Sequence, residues 1–342
     1  MTSTMDLVTG PRHGGLVLGI EAGSPGAALT EVGARHGERI REGVIEHGAA
    51  LLSGFSWADW PELDAFVNSV VGRPLDYTER SSPRTELHPG VFTATDHPPT
   101  EEIFLHTEQS YNLNVPRHLF FFCRRGAPEG GANTLADCRA LYDALPRTIA
   151  DRFDEEGYLL VRNFLPGLGL SWQDAFGTKD RAEVQAYCDA NAIEVEWVDE
   201  DHLRTRQRRW AVATHPVTGR RSWFNHMTFF HARTLRPEVG EFLLEEYGPW
   251  GMPTNTFHAD GSEIPDEVVA GLQQAYRDHA IEVTARTGEV LIVDNLAVAH
   301  GRLPFVPPRE LFVSMSDALP WSTLRPVERT SAPAGGVTAP AG

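Results

Sequence analysis

Apolar and polar residues follow different spacings along the chain, and each spacing predicts a different element. Between residues 27 and 52 apolar positions recur three or four residues apart, as on one face of an amphipathic helix, and the stretch leads into a strand at 48–55. Helical spacing returns in later stretches, at 60–71, 137–156 (interrupted near Pro146), 178–191, 237–247 and 265–279. Helices are therefore expected near the start of the chain and again in its second half.

Short strands are predicted between these helices. The continuous apolar run at 119–123 is typical of a strand that is buried on both faces, and residues 289–293 predict another short apolar strand. Further strands are predicted at 157–164, 193–198 and 310–316, and residues 210–225 predict a hairpin that turns at 217–220. Many short strands, with helices early and inserted late, favour a mixed, β-rich fold: a jelly-roll barrel with helical decoration.

The same patterns divide the chain into three regions. Residues 1–25 are rich in Gly, Thr and Ser and predict a loose lead-in with a single strand. Residues 26–320 predict one jelly-roll domain with a helical insert at about 230–285. Residues 321–342 are mostly Pro, Ala, Gly, Thr and Ser, which predicts a disordered tail.

Composition narrows the class of protein. Of the 342 residues, 41% are hydrophobic, which allows a large core. No apolar stretch approaches the roughly 20 residues of a membrane span, and the amino terminus lacks the basic-then-apolar pattern of a secretory signal. The three cysteines (Cys123, Cys138 and Cys188) have no metal-type spacing, which indicates free thiols in a reducing cytoplasm. The sequence is compatible with a homo-oligomer.

The charge distribution bears on binding partners. A net charge of −17 disfavours nucleic acid and anionic membranes, which require clustered positive charge. One local exception runs from His202 to Arg221, where six arginines (204, 206, 208, 209, 220 and 221) occur without Asp or Glu. They indicate either a solvated strand pair and loop or a docking patch for an acidic partner or an anionic substrate.

One tripeptide carries candidate metal chemistry. His106 and Glu108 are two residues apart, so on an extended strand their side chains would project to the same side. His300 would complete a set of two histidines and one carboxylate, which occupies one face of an octahedral metal and suits Fe(II) that must also bind a co-substrate and O2. The tripeptide alone favours a surface or core histidine beside a solvated glutamate, because such tripeptides often arise by chance.

Several segments in the same order resemble the TauD/TfdA-type Fe(II)/2-oxoglutarate dioxygenases. The resemblance is to their clavaminate synthase-like and syringomycin-biosynthesis (SyrP-like) branches, which use Glu rather than Asp as the metal-binding carboxylate. The matching segments are 103–111 (IFLHTEQSY), 120–123 (FFFC), 130–137 (GGANTLAD), 288–295 (GEVLIVDN), 299–302 (AHGR) and 308–309 (PR). The resemblance implies a cupin-like double-stranded β-helix and an iron site of His106, Glu108 and His300.

The resemblance also implies how the co-substrates bind. 2-Oxoglutarate would chelate the iron, O2 would take the remaining position, and the distant carboxylate of 2-oxoglutarate would be bound by Arg309 with the hydroxyl of Thr134. Arginine suits this role because its planar guanidinium can hold a carboxylate through two hydrogen bonds. Arg302 is the alternative ligand for this carboxylate, but we prefer Arg309. The presence of Glu108 disfavours halogenation, since related halogenases have a small residue there.

Substrate residues are implied less directly. Arg84 resembles an arginine near the mouth of the family's active site, although it could equally be an ordinary loop arginine. Trp223 and Asn225 resemble a segment near the substrate pocket, although an aromatic residue on a hairpin is more often part of the core.

The function implied is hydroxylation of an amino acid or amino-acid-derived group in a biosynthetic pathway, with release of succinate and CO2. The small-molecule substrate would be free or tethered to an acidic carrier protein, which the arginine-rich segment would suit. Desaturation or cyclisation could use the same iron site, and an enzyme could use the three ligands without 2-oxoglutarate. The alternative to an enzyme is a non-catalytic jelly-roll protein with a binding or regulatory role.

Overall fold

Strands from distant parts of the chain pair in the central sheets, and the computed structural model describes residues 7–72, 79 and 84–325. Before residue 170 the strands are β1 (Leu7–Arg12), β2 (Val17–Ala22), β3 (Ala27–Ala28), β4 (Ala49–Ser53), β5 (Phe55–Ser56), β6 (Glu86–His88), β7 (Val91–Thr93), β8 (Ile103–His106), β9 (Asn114–Arg125), β10 (Glu129–Gly130), β11 (Asn133–Asp137) and β12 (Tyr158–Phe164). The later strands are β13 (Glu194–Trp197), β14 (Leu203–Arg209), β15 (Val212–Thr214), β16 (Arg221–Trp223), β17 (Thr254–His258), β18 (Ala280–Val283), β19 (Val290–Asp294), β20 (Val298–Arg302), β21 (Phe305–Val306) and β22 (Glu310–Pro320).

Helices lie before, between and after these strands. They are α1 (Leu29–His47), α2 (Trp60–Val70), α3 (Cys138–Ala144), α4 (Arg147–Glu156), α5 (Trp172–Phe176), α6 (Arg181–Ala190), α7 (Met227–Phe230), α8 (Pro237–Gly251), α9 (Asp266–Asp278) and α10 (Trp321–Leu324). Two 3-10 turns occur at His13–Gly15 and Ala232–Thr234. The predicted helices are confirmed, including the break at Pro146.

Two sheets form the jelly roll. The larger has the strand order β1-β2-β4-β19-β9-β22-β7-β6, and the smaller has the order β18-β11-β20-β8. Side chains from both sheets meet in one buried cluster, which includes Leu119 and Phe121 from the larger sheet and Leu135 and Val298 from the smaller. The predicted jelly-roll architecture is confirmed.

The apolar run in β9 is explained by burial on both of its faces. Leu119 and Phe121 point toward the smaller sheet, whereas Phe120 and Phe122 pack in a second cluster with residues of α1 and α2. Alternate residues of a strand face opposite sides, so a strand covered on both sides needs an uninterrupted apolar sequence. Burying each of these side chains contributes roughly 1.5–3 kcal/mol.

A large insert between β11 and β18 packs against β8. It contains α3 to α9, a second four-stranded sheet in the order β13-β14-β12-β17, and the hairpin of β15 and β16. Phe104 and Leu105 of β8 share a buried cluster with Tyr158 of β12 and Tyr276 of α9. The helical insert expected at about 230–285 is therefore only part of a longer region that mixes helices with strands.

Both ends of the described chain are more ordered than expected. Residues 7–22 of the predicted loose lead-in contain β1 and β2, which pair with each other, and β2 also pairs with β4. In the predicted tail, Trp321 is 5% exposed and Leu324 is 0% exposed. The remainder of the tail, 326–342, lies outside the described residues, and the division into one domain with flanking segments stays a prediction. No helix in the described part of the chain is long and apolar enough to cross a membrane.

Candidate metal centre

Two of the predicted ligands lie on neighbouring strands of the smaller sheet. His106 ends β8, and His300 is its direct partner across the pairing with β20. Their ring centroids are 4.3 Å apart, and both residues are buried. Residues 194 positions apart (300 − 106) are therefore neighbours because the two strands pair in this register.

Glu108 reaches the histidines from a turn and not from a strand. Its Oε2 lies 3.9 Å from Nε2 of His106 and 3.8 Å from Nε2 of His300. The ligand atoms of the three residues all lie within 4.8 Å of one another. The expectation that an extended strand carries both His106 and Glu108 was wrong, since β8 stops at His106 and Gln109 has a φ of 50°. Convergence of the side chains depends on how this turn is held.

The turn is held by Asn295, which follows β19. Its Oδ1 accepts a hydrogen bond of 2.7 Å from the backbone N–H of Glu108, and its Nδ2 donates to the carbonyl oxygens of Glu108 at 2.9 Å and Pro116 at 2.8 Å. The amide thus supplies the bonds that a neighbouring strand would otherwise give. Sequence reasoning missed this role, although the Asp294-Asn295 turn after an apolar strand was visible.

The protonation states suit a divalent metal. Burial alone would raise the pKa of Glu108, but Arg84 and the two histidines outweigh it and hold that pKa well below its usual range, so the group is a carboxylate. Burial, with His106 nearby, lowers the pKa of His300 well below its usual value, which keeps the imidazole neutral. Nδ1 of His106 lies 2.9 Å from the Phe104 carbonyl oxygen and must donate to it, which leaves Nε2 as a metal ligand. Two imidazoles and one carboxylate fit Fe(II).

Arg84 lies inside the centre. Its Nη2 donates to Oε2 of Glu108 at 3.0 Å, and its Nε donates to Oγ1 of Thr95 at 3.2 Å. The side chain is 6% exposed, and it lines both cavities that adjoin the candidate ligands. Arg84 is thus close enough to position Glu108 as well as to meet a substrate.

A small cavity of about 60 Å³ adjoins the histidines and is lined by Arg309, one of the two residues expected to bind 2-oxoglutarate. Arg309 lines it beside Asn133, whose Oδ1 accepts a hydrogen bond of 3.2 Å from Nη2 of Arg309. Thr134 lies behind Gly301, and its buried hydroxyl has no hydrogen-bond partner among the residues described. Burial and nearby Arg302 lower the pKa of Arg309 to about 10, so it remains a cation at neutral pH. A half-buried cation and an unsatisfied hydroxyl fit an incoming carboxylate.

Arg302 lines the same cavity but has other partners. Its Nη2 donates to the carbonyl oxygens of Pro98 at 2.8 Å and Glu101 at 2.6 Å, and its Nη1 donates to that of His97 at 3.3 Å. These bonds hold the 97–101 loop against β20. The geometry therefore favours Arg309 over Arg302 as the carboxylate ligand.

Trp223 and Asn225 do not line either cavity described here. Trp223 is 0% exposed and packs edge-on against Phe153 in the core of the insert. Asn225 is 1% exposed; its Nδ2 donates to the carbonyl oxygen of Ala211, and its own carbonyl accepts from Oγ1 of Thr107. The structure therefore places both in supporting positions and not at a substrate surface.

A larger cavity of about 850 Å³ opens from the other side of His106 and Glu108. His226, His231, Phe229 and Phe230 are part of its wall, on and beside α7. A separation of five residues does not place His226 and His231 together on a strand or cleanly on one face of a helix, so the sequence alone predicts either a structural or a substrate-lining role for them. The structure supports a substrate-lining position, since both histidines line the cavity.

The arginine-rich segment is used within the protein. Arg209 is buried and donates to the carbonyl oxygens of Tyr111 and Asn191. Other arginines of the segment pair with acidic residues: Arg204 and Arg206 with Glu196, Arg220 with Asp143, and Arg221 with Asp154. The acidic partners lie outside the segment, so its local sequence gave a misleading impression of free positive charge.

Comparison with known proteins identifies the family. Residues 11–315 match the model described as taurine catabolism dioxygenase TauD, TfdA family. The dapdiamide synthesis protein DdaC of Enterobacter agglomerans is 35% identical over 311 residues, which cover 91% of this chain and 93% of that protein. A clavaminate synthase-like protein of Arabidopsis thaliana is 26% identical over 286 residues, covering 79% and 82% respectively.

The solved structures agree in fold. PvcB of Pseudomonas aeruginosa superimposes with a TM-score of 0.56 at 16% identity, over 94% of this chain and 95% of that one. The family match spans both sheets of the jelly roll and every candidate metal ligand. The chain is therefore a member of the TauD/TfdA dioxygenase family, whose enzymes use Fe(II), 2-oxoglutarate and O2.

Proposed function

We propose that this dioxygenase hydroxylates an amino-acid-derived small molecule in a biosynthetic pathway. The observation that carries the proposal is the convergence of His106, Glu108 and His300 between two cavities of different size. A metal at this position would face a small chamber that contains Arg309 on one side and a roomy, partly aromatic chamber on the other. That division suits a compact co-substrate and a larger substrate.

The residues have distinct roles in this proposal. His106, Glu108 and His300 would hold Fe(II), while Arg309 and Thr134 would bind the distant carboxylate of 2-oxoglutarate. When bound, these groups supply O2 activation, with release of succinate and CO2. Phe229, Phe230 and the walls of the larger cavity would exclude water and orient the substrate carbon toward the metal.

The size of the larger cavity bears on the substrate. About 850 Å³ lies in the range of pockets that enclose drug-sized ligands, which is more room than a free amino acid requires. We therefore favour an extended derivative of an amino acid. The name of DdaC as a dapdiamide synthesis protein supports a biosynthetic setting.

We also propose that an acidic carrier protein delivers the substrate. Within the arginine-rich segment, Arg208 is the half-buried arginine with no ion pair among the described residues. Arg208→Glu should weaken binding of a negatively charged carrier domain, with Arg220→Glu as the surface control because Arg220 already pairs with Asp143. Unchanged affinity in Arg208→Glu would remove the carrier from the proposal. We place the reaction in the cytoplasm, since the three cysteines are free thiols.

The test is an anaerobic titration of the Fe(II)-loaded protein with 2-oxoglutarate, with His106→Ala alongside. A visible charge-transfer band that vanishes in the variant would support the iron, the co-substrate and the ligand together. Bound iron without a band would instead favour an enzyme that uses the same ligands without 2-oxoglutarate. Failure to bind iron would favour a non-catalytic binding protein, and product analysis would then separate hydroxylation from desaturation or cyclisation.

A further inference from the structure

A two-stranded ribbon lies beside the small cavity and belongs to neither sheet of the jelly roll. It pairs β10 with β21, so that Gly130 lies opposite Phe305. The backbone N–H of Gly131 donates to the carbonyl oxygen of Pro304 at 2.9 Å, and that of Phe305 donates to the carbonyl oxygen of Pro99 at 2.8 Å. The position of Phe305 is thus fixed by backbone hydrogen bonds, independently of its side chain.

The ring of Phe305 contacts two arginine side chains. The guanidinium carbon of Arg302 lies 4.9 Å from the ring centroid, and that of Arg309 lies 5.5 Å from it. Both distances are within the range of a cation–π interaction, in which the negative face of the ring attracts the cation. Arg302 has three carbonyl partners as well, whereas the other side-chain partner of Arg309 among the described residues is Asn133. The ring is therefore one of the few groups that hold the Arg309 guanidinium.

Gly131 completes the support of Arg309. A Cβ at Gly131 would lie 3.0 Å from Cδ of Arg309 and 3.1 Å from its Nε, so the glycine backbone lies close against the arginine stem. Its φ of 71° is one that glycine adopts without strain. Gly131 and Phe305 contact Arg309 but do not line the small cavity, whereas Arg309 and Asn133 do. The ribbon therefore supports Arg309 from the side away from the cavity.

Support from this side has two physical consequences. A long side chain that is free to sample many rotamers loses conformational entropy when it binds a ligand, which weakens the affinity. A guanidinium that is already held in place avoids that loss. It also cannot move back to admit a longer ligand, and the cavity of about 60 Å³ leaves little spare room. One additional methylene group commonly changes binding about 10–200-fold in a fitted pocket.

We propose that the β10–β21 ribbon, through Phe305 and Gly131, positions Arg309 and thereby sets the length of the keto acid that the site accepts. Phe305 is a positioning residue, since it acts through Arg309 and does not line the cavity. The inference rests on the proposed function, because it takes Arg309 as the ligand of the distant carboxylate. It predicts selectivity for 2-oxoglutarate over 2-oxoadipate, which is longer by one methylene group.

The first test measures the dissociation constant of 2-oxoglutarate from the charge-transfer band in anaerobic titrations of the Fe(II)-loaded protein. Phe305→Leu keeps an apolar side chain but removes the aromatic face, so we expect it to weaken 2-oxoglutarate binding roughly 2–30-fold. Phe305→Tyr keeps the face and should bind 2-oxoglutarate as the wild type does. Wild-type affinity in Phe305→Leu, or equally weak binding in Phe305→Tyr, would overturn the role of the ring.

Fe(II) affinity and urea unfolding distinguish positioning from a general structural role. Phe176→Leu is the matched control, since Phe176 is also half-buried, but its ring contacts Phe164 and Tyr187 away from both cavities. We expect both variants to lose some stability and to keep their Fe(II) affinity, and only Phe305→Leu to lose affinity for 2-oxoglutarate. A parallel loss of Fe(II) affinity in Phe305→Leu would show a general disturbance of the site and would overturn a specific effect on Arg309.

The second test compares 2-oxoglutarate with 2-oxoadipate in the same titration. The wild type should bind 2-oxoadipate about tenfold or more weakly. Phe305→Ala removes the ring beside Arg309, so the guanidinium can move back and the ratio of the two dissociation constants should fall. Equal binding of the two keto acids by the wild type, or an unchanged ratio in Phe305→Ala, would overturn the control of length.

The outcomes separate this inference from the proposed function. Absence of the keto-acid band in the wild type would reject the proposed function and this inference with it. A normal band with wild-type affinity in Arg309→Ala would reject Arg309 as the carboxylate ligand. A dissociation constant that rises in Arg309→Ala but not in Phe305→Leu would reject the role of the ribbon alone.

Discussion

The substitution Asn295→Ala should disable the metal centre without touching a metal ligand. It removes three hydrogen bonds of 2.7, 2.9 and 2.8 Å and leaves the backbone N–H and carbonyl of Glu108 and the carbonyl of Pro116 without that partner. Asn295 is 0% exposed, so water does not readily replace the amide. An unpaired buried polar group costs roughly 1–3 kcal/mol. A loss of about 3–5 kcal/mol is therefore expected, a large part of a typical stability of about 5–15 kcal/mol.

The substitution should also weaken metal binding. Losing an outer partner of a metal ligand commonly weakens metal affinity about 10–100-fold. Asn163→Ala is the matched control, since Asn163 is a buried amide that donates to the carbonyl oxygens of Trp250 at 3.0 Å and Met252 at 2.7 Å, away from the candidate ligands. Urea unfolding gives the stability of each variant, and anaerobic Fe(II) titration gives its affinity. Equal Fe(II) affinities in the two variants would refute a positioning role for Asn295.

Three further changes test other parts of the site. Arg309→Ala should raise KM for 2-oxoglutarate about tenfold or more, because each hydrogen bond to a charged group contributes about 1.5–3 kcal/mol; steady-state succinate release measures it. Gly301→Ala would place a Cβ 2.5 Å from the carbonyl oxygen of Ile103, so β20 must move away from β8; calorimetry and Fe(II) titration should show a lower melting temperature and weaker binding. Burial would raise the pKa of Asp294, but the hydrogen bond from His215 at 2.9 Å, together with nearby His118 and Arg117, outweighs burial and the pKa is lowered. That carboxylate stabilises the fold above its unfolded pKa of about 4 and less as pH falls through the native value, so Asp294→Asn should flatten the acid limb of stability in urea melts from about pH 7 to 3.

Each of these predictions has a control or a contrary result. Arg302→Ala should lower the melting temperature but leave KM for 2-oxoglutarate nearly unchanged, and the reverse would exchange the roles of Arg302 and Arg309. Gly271→Ala is the control for Gly301, since a Cβ there meets nothing within 4 Å. An acid limb that is equally steep in Asp294→Asn would show that other carboxylates control acid unfolding.

Local sequence patterns predicted those elements whose burial can be inferred from their own residues. The apolar run 119–123 shows burial on both faces, and His106, Glu108 and His300 lie in segments that resemble the family closely. The first prediction depends on a few neighbouring residues, and the second depends on short segments that each match the family although they lie far apart along the chain. They were accordingly confirmed in the architecture and in the convergence of the three side chains.

Features that depend on distant partners were not predictable in this way. The arginines at 204 and 206 looked free because Glu196 lies outside their segment. Residues 7–22 looked loose, since their strands gain order by pairing with β4 and with each other. Trp223 resembled a pocket residue, yet the packing of the insert places it in the core.

The pairing of β8 with β20 also determines when the protein can acquire iron. His106 leaves the ribosome long before His300, its partner across the two strands, and β22 must then insert between β9 and β7 to complete the larger sheet. Contacts between residues so far apart form slowly, because a long loop must close first. A nascent chain that ends before β20 lacks His300. Its Asn295 is present, but the sheets around it are incomplete. A complete set of candidate ligands therefore requires the chain as far as β20, and a shorter translation product lacks His300.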